Sequence, residues 1–170
     1  MELELTPELK KVIDGLSEKH SGNVVNVYQS SGDTFVHVEA DAIVEICRYL
    51  KEEHRFINLA DIIGTDRFTS RERFEVIYNL VSLRDLQRLF LKVRLEEENP
   101  VIDSVTPVWK AANWFERETY DMFGIRFEGH PDLRRILMPE DFEYYPLRKE
   151  FPLIGIPGSI ELPSSEPDKE

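Results

Sequence analysis

The 170-residue chain contains one cysteine, Cys47. A lone cysteine excludes a disulfide within the chain and any cysteine-rich metal or iron–sulfur site, and it fits a reducing compartment. Long apolar runs are also missing. No stretch approaches the roughly 20 residues needed to cross a bilayer, and the opening Met1-Glu2-Leu3-Glu4-Leu5 is acidic, which predicts no signal peptide. Basic charge is in short supply: 21 Lys and Arg against 33 Asp and Glu leave a net charge of −12. That balance disfavours nucleic acid as the main partner and peripheral binding to anionic lipid. No Gly-x-Gly-x-x-Gly follows a strand, and no Walker loop, Cys-x-x-Cys or Gly-x-Ser-x-Gly elbow occurs. The four histidines, His20, His37, His54 and His130, have no ligand-like spacing. Dinucleotide, nucleotide and metal-cluster binders therefore lose their usual signatures here.

What remains is ample for a folded core. Hydrophobic residues make up 41% of the chain, and the length suits one domain with a modest extension. Thr6 as N-cap, Pro7 at N1 and Glu8 in the first turn open a helix whose apolar face is Leu9, Val12, Ile13 and Leu16. Gly22-Asn23 ends that pattern. Val24–Tyr28 and Thr34–Val38 read as a hairpin joined by Ser30-Ser31-Gly32-Asp33. Asp41 is the expected cap of a second helix, with Ile43, Val44, Ile46, Cys47 and Leu50 on its apolar side; Cys47 then reads as a small core residue rather than a reactive thiol.

Three more strands follow, at 56–63, 74–81 and 88–95. The last two show clean alternation, so one face should meet helices and the other should be partly wet. The fold class is α+β: a compact two-layer domain with a mostly antiparallel sheet packed by helices, then an extended C-terminal segment. Thr106 with Pro107 predicts a third helix that runs to Phe123 and stops at Gly124, with Val108, Ala112, Phe115, Thr119 and Met122 on one face. The chain thus divides into an α+β domain, 1–123, and an irregular docking segment and tail, 124–170. Residues 114–151 hold nine of the eighteen aromatic residues, and seven of the ten prolines lie from Pro131 onward. From about Ile154 the composition is too poor in large apolar groups to fold alone.

The stretch Glu116 to Pro152 carries six basic and nine acidic residues among many aromatics. Such a mixture points to ion pairs at a sheltered surface. Helical geometry puts Glu116 and Glu118 at the two edges of the apolar stripe and Arg117 away from it. One reading leaves both glutamates at the water's edge, with Arg117 pairing to Asp121 at i+4. The other buries one glutamate against Arg134, Arg135 or Arg148. The residues by themselves favour the first. His130-Pro131-Asp132 reads as a turn, with His130 kept out of the α region by the proline; a proton carrier or ligand is the competing role.

This segment resembles the hallmark of the thirty-kilodalton subunit family of respiratory complex I, the C-type subunit of bacterial NADH:quinone oxidoreductase. Glu116-Arg117-Glu118, then Asp121-Met122-Phe123, then His130, then Arg134 with Ile136-Leu137 match the family pattern. The run Gly129 to Leu137 and the later Pro146-Leu147-Arg148-Lys149 fit as well. The resemblance implies a chain that binds no cofactor or metal and carries no catalytic residue. Its interface and structural residues would be Glu116, Arg117, Glu118, Asp121, His130, Asp132, Arg134, Arg135, Arg148 and Lys149. It implies a place in the peripheral arm, on the cytoplasmic face of the inner membrane. The partners would be the quinone-site large subunit and neighbouring iron–sulfur subunits. The complex, not the chain, would use FMN, iron–sulfur clusters and quinone to pass electrons from NADH to quinone. Two alternatives stand beside it: the equivalent subunit of a membrane-bound hydrogenase, formate hydrogenlyase or ferredoxin- or F420-linked complex, and a free-standing enzyme with a site at Glu118 and His130.

Overall fold

The computed structural model describes residues 5–69, 71–152 and 155, so the expected tail lies almost wholly outside the described residues. Helix α1 (Pro7–Lys19) begins as its sequence dictates: the Thr6 hydroxyl accepts the Leu9 N–H at 3.2 Å, and Pro7 loses nothing in a turn whose amides have no helical partners. The hairpin β1 (Val24–Ser30) and β2 (Asp33–Val38) turns at Ser31 and Gly32, both with positive φ (54° and 86°), the twist that suits a two-residue connection.

Helix α2 (Ile43–His54) departs from expectation. A single 3-10 turn, Ala40–Ala42, precedes it, and no side chain caps it, so Asp41 stays exposed and is not the N-cap. Strands β3 (Asn58–Asp66), β4 (Phe74–Ser82) and β5 (Gln87–Leu95) follow. The five strands lie in the order β1-β2-β5-β4-β3, antiparallel except for the β2–β5 pair.

Alternation decides the two faces. Val36, Val38, Val76, Tyr78, Leu80, Leu89, Leu91 and Val93 point inward and are buried with Leu16 of α1 and Ile43, Ile46, Cys47 and Leu50 of α2. Cys47 is fully buried, and burial pushes its thiol well above its usual range, so it packs rather than reacts. The opposite face is the half-wet one. Tyr28, Phe35 and Phe90 stack across three strands there, with Lys92 beside them and paired to Glu75 at 2.8 Å.

Two short strands, β6 (Val101–Asp103) and β7 (Arg126–Glu128), pair in parallel and bracket helix α3 (Ala112–Phe123). Ile125 and Phe127 belong to the same buried core, so core packing continues past residue 123. Helix α3 starts later than Thr106-Pro107 predicts. The Thr106 hydroxyl is 2.7 Å from the Ser104 hydroxyl instead of capping the helix, and residues 106–108 form a turn. The helix lies directly on β3: a Cβ at Gly64 would sit 2.7 Å from the Phe123 ring and 2.8 Å from the Thr119 methyl. Glycine is what allows this approach.

Candidate functional site

Helix α3 carries the charged motif, and the segment after β7 wraps back over it. Asp121 makes the main attachment. Its side chain is fully buried, and its carboxylate accepts Arg135 Nη1 at 2.6 Å. It also accepts three successive backbone N–H groups, from Ile136, Leu137 and Met138, at 2.9, 2.7 and 2.9 Å. Burial works to raise this carboxyl's pKa, but the amide donors and the guanidinium outweigh it and hold the group below the usual carboxylate range. Arg135 is held in turn by the carbonyls of Asp121 (3.2 Å) and Tyr144 (3.1 Å) and lies 5.1 Å from the Tyr145 ring centre.

Arg117 complements this from the next turn. Its guanidinium donates to the carbonyls of Arg134 (3.1 Å) and Arg135 (3.3 Å) and lies 5.0 Å from the centre of the Trp114 ring. The i+4 pair with Asp121 is not formed. Arg117 points away from the sheet, as the helical wheel predicts, but the returning segment covers it, so it is buried.

Glu116 is fully buried as well, against the expectation of a solvated edge, and it faces no arginine. Its carboxylate accepts the Val105 N–H at 2.7 Å and the Ser104 hydroxyl at 2.6 Å, which ties the strand exit after β6 to the helix. Burial pushes its pKa up to about 7 against the pull of those two donors. The His130 ring, also buried, lies 4.0 Å away. The Asp132 N–H donates to its Nδ1 (3.0 Å), which leaves the proton on Nε2, donating to the Asn113 carbonyl (3.1 Å). His130 is therefore a fixed turn residue.

The far end of the wrap is fastened twice. Arg148 Nε donates to the Phe123 carbonyl (2.6 Å), and its guanidinium stacks on Tyr145 and Phe74 at 4.6 and 4.9 Å. Gly124 ends α3 at φ 74°, and a Cβ there would collide with Arg148 and Tyr145. The second fastening has no motif behind it. Asp66, at the end of β3, accepts Arg73 Nε (2.9 Å) and Nη2 (2.7 Å) and also the Lys149 N–H (2.8 Å). Burial opposes its ionisation, but Arg73 and the amides of Lys149 and Phe68 bring its pKa down to about 2. Arg73 also pairs with Glu97 and Glu150. The one sequence signal for this node is an acid at the end of β3 and an arginine just before β4; Asp66 registers with Phe74, which leaves Arg73 diagonal to it across the strand pair.

Residues 36–156 match the family model described as "Respiratory-chain NADH dehydrogenase, 30 Kd subunit". The chain belongs to this family. It is 46% identical over 155 residues to a C-type NADH-quinone oxidoreductase subunit of Rhizobium meliloti (strain 1021), covering 86% of this chain and 85% of that one. It is 41% identical over 149 residues to the corresponding NADH-quinone oxidoreductase subunit of Geobacter sulfurreducens, covering 87% and 92%. Among solved structures, the trypsin-resistant fragment (1-134) of Nqo5 superposes with a TM-score of 0.57 at 37% identity, covering 74% of this chain and 99% of the fragment. A chain in the membrane-bound sulfane sulfur reductase, an archaeal respiratory membrane complex, superposes at 0.70 with 22% identity, covering 86% and 87%, and shares the fold.

Within the family motif the structure separates holders from surface residues. Glu116, Arg117, Asp121, His130, Arg135 and Arg148 are engaged inside the chain. Among the described residues the Arg134 side chain pairs with Asp132 alone, at 2.9 Å, with both side chains at least half exposed. Lys149 contributes its backbone N–H, and its residue is exposed. Glu118 is exposed on the β3 side, whereas His130 is packed against Glu116, so the two are not brought together. No group of three or more His, Cys, Asp or Glu among the described residues is disposed to hold a metal. No described helix is long and apolar enough to cross a membrane.

Proposed function

We propose that this chain is a structural, non-catalytic subunit in the peripheral arm of a proton-translocating NADH:quinone oxidoreductase. Residues 1–123 form the platform, continued through β7, and the docking portion assigned to 124–170 begins in effect after β7. The large subunit that builds the quinone site is the proposed main partner, with iron–sulfur subunits as neighbours, on the cytoplasmic face of the inner membrane. FMN, iron–sulfur clusters and quinone reside in other chains, and Glu116, Arg117, Asp121, His130, Arg135 and Arg148 act as internal fasteners.

The observation that carries this reading is Asp121: one buried carboxylate takes three consecutive amides and an arginine, all from the wrapped segment. This hydrogen-bonding capacity is spent on holding backbone in a fixed path, which suits a presented surface. Relatives named as subunits of NADH-quinone oxidoreductase, at 41–46% identity over most of the chain, support NADH as the electron donor. The test is mild-detergent purification of the tagged chain with mass spectrometry of what accompanies it, alongside an Asp121→Ala strain. Recovery of the quinone-site large subunit and of flavin- and cluster-bearing chains is expected. Asp121→Ala should lower the yield of complex while leaving the cluster spectrum of each assembled complex unchanged. A cluster signal missing from fully assembled complex would refute the structural role.

A further inference from the structure

Glu118 is a motif residue whose side chain the internal network of described residues leaves unused. It lines a groove of ≈ 160 Å³ between β3 and α3, together with Asp61, Ile63, Met122 and Leu147. Leu147 is 53% exposed and Ile63 39%. Leu147 is held outward: its N–H donates to the Met122 carbonyl at 3.2 Å, and the neighbouring Arg148 is fastened to Phe123. Asp61 accepts only the N–H of Ile62, at 2.8 Å, and Glu118 has no hydrogen-bond or ion-pair partner among the described residues. The edge of β3 is closed here, because the Ile62 N–H goes to Asp61 and its carbonyl accepts the Thr119 hydroxyl at 3.3 Å. An added strand would find no main-chain partners at Ile62, so the groove reads side chains.

We propose that this groove receives one Lys or Arg side chain from a partner polypeptide. The aliphatic stem would lie along Ile63, Met122 and Leu147, and the cationic head would sit against Glu118 and Asp61. An apolar floor with an anionic rim matches the two halves of such a side chain. A wholly apolar occupant would strip water from two carboxylates and leave them unpaired, and an acidic one would be repelled.

The proposal rests on the assembly role above, and one set of preparations separates the two. The full chain alone and the solubilised complex containing it are treated with a carbodiimide and glycine ethyl ester, and carboxylate labelling is mapped by mass spectrometry. Glu118 should label freely in the chain and be protected in the complex. With no amine added, the same carbodiimide should join Glu118 or Asp61 to a partner lysine, or give protection without a crosslink where the occupant is arginine. Glu118→Lys should reduce recovery of the complex by about tenfold or more, as like charges meet, and Glu118→Gln by a smaller factor. Because Glu118 is exposed, the free Glu118→Lys chain should melt close to the parent. A chain that enters no complex would overturn both readings. A chain found in the complex with Glu118 labelled as when free would overturn the groove alone. Protection combined with normal recovery of Glu118→Lys would identify an uncharged occupant and overturn the cation.

Discussion

Glu116 and Asp121 sit on one helix, each with a fully buried side chain, yet burial drives one toward protonation and fails to do so for the other. The difference lies in the donors. Glu116 has a hydroxyl and one amide; Asp121 has three amides and a guanidinium. A buried carboxylate stays charged when enough oriented donors replace its water, and a positive charge among them decides the matter. The two ends of α3 are thus fastened by different chemistry: a weakly ionised link to the strand exit after β6, and a firmly ionised link to the wrapped segment.

The largest expected effect comes from breaking the ionised link. Asp121→Ala leaves Arg135, 10% exposed, without its counter-charge, together with three orphaned amides. Removing one side of such a buried pair costs about 3–5 kcal/mol. Urea denaturation should report a loss of that order, and limited proteolysis should open the chain between residues 134 and 148 first. Loss of stability with no new cleavage there would mean that the carboxylate supports the whole core and not the wrap.

Glu116 should respond in the opposite sense to pH. Its carboxyl titrates near its ordinary value of 4.5 unfolded and at about 7 folded, so the folded chain binds more protons between those values. Its contribution is complete below pH 4.5 and is lost as pH rises through 7, a difference of about 3 kcal/mol. Glu116→Gln keeps the acceptor oxygen and removes the titration. It should stabilise the chain at about pH 8 by up to about 3 kcal/mol and change little at about pH 4.5, measured by urea denaturation at both. An effect independent of pH would show that Glu116 is not the titrating group.

How legible these features were depends on how local their causes are. Helix α1 could be read from Thr6-Pro7 and its four-residue stripe because all of its signals lie within it. The alternation in β4 and β5 identified the inward face for the same reason. The parallel β2–β5 pairing could not be read, since nothing in either strand names its neighbour, and β6 and β7, three residues each, are too short for any period. Thr106-Pro107 has the composition of a cap, but the Glu116 carboxylate engages Ser104, and Ser104 engages Thr106, so a tertiary contact overrides the local signal. The burial of Arg117 and the Asp66–Arg73–Lys149 node depend on a segment that returns from far along the chain. A helical wheel contains no term for that.

The adjacent arginines give the smallest and sharpest form of the comparison. Arg134 and Arg135 share a motif and a charge, but Arg135 is sealed against Asp121 while Arg134 meets Asp132 in water, with side-chain exposures of 63% and 50%. Exposed pairs of this kind contribute about 0–1 kcal/mol, and salt screens them. Arg134→Ala should therefore shift the urea midpoint barely at all, and raising the salt should erase what shift there is. Arg135→Ala should approach the Asp121→Ala loss and should resist salt, because its charge is neutralised largely out of contact with solvent. Equal effects from the two variants would mean that the Arg134 carbonyl, which Arg117 holds at 3.1 Å, matters more to this segment than either guanidinium.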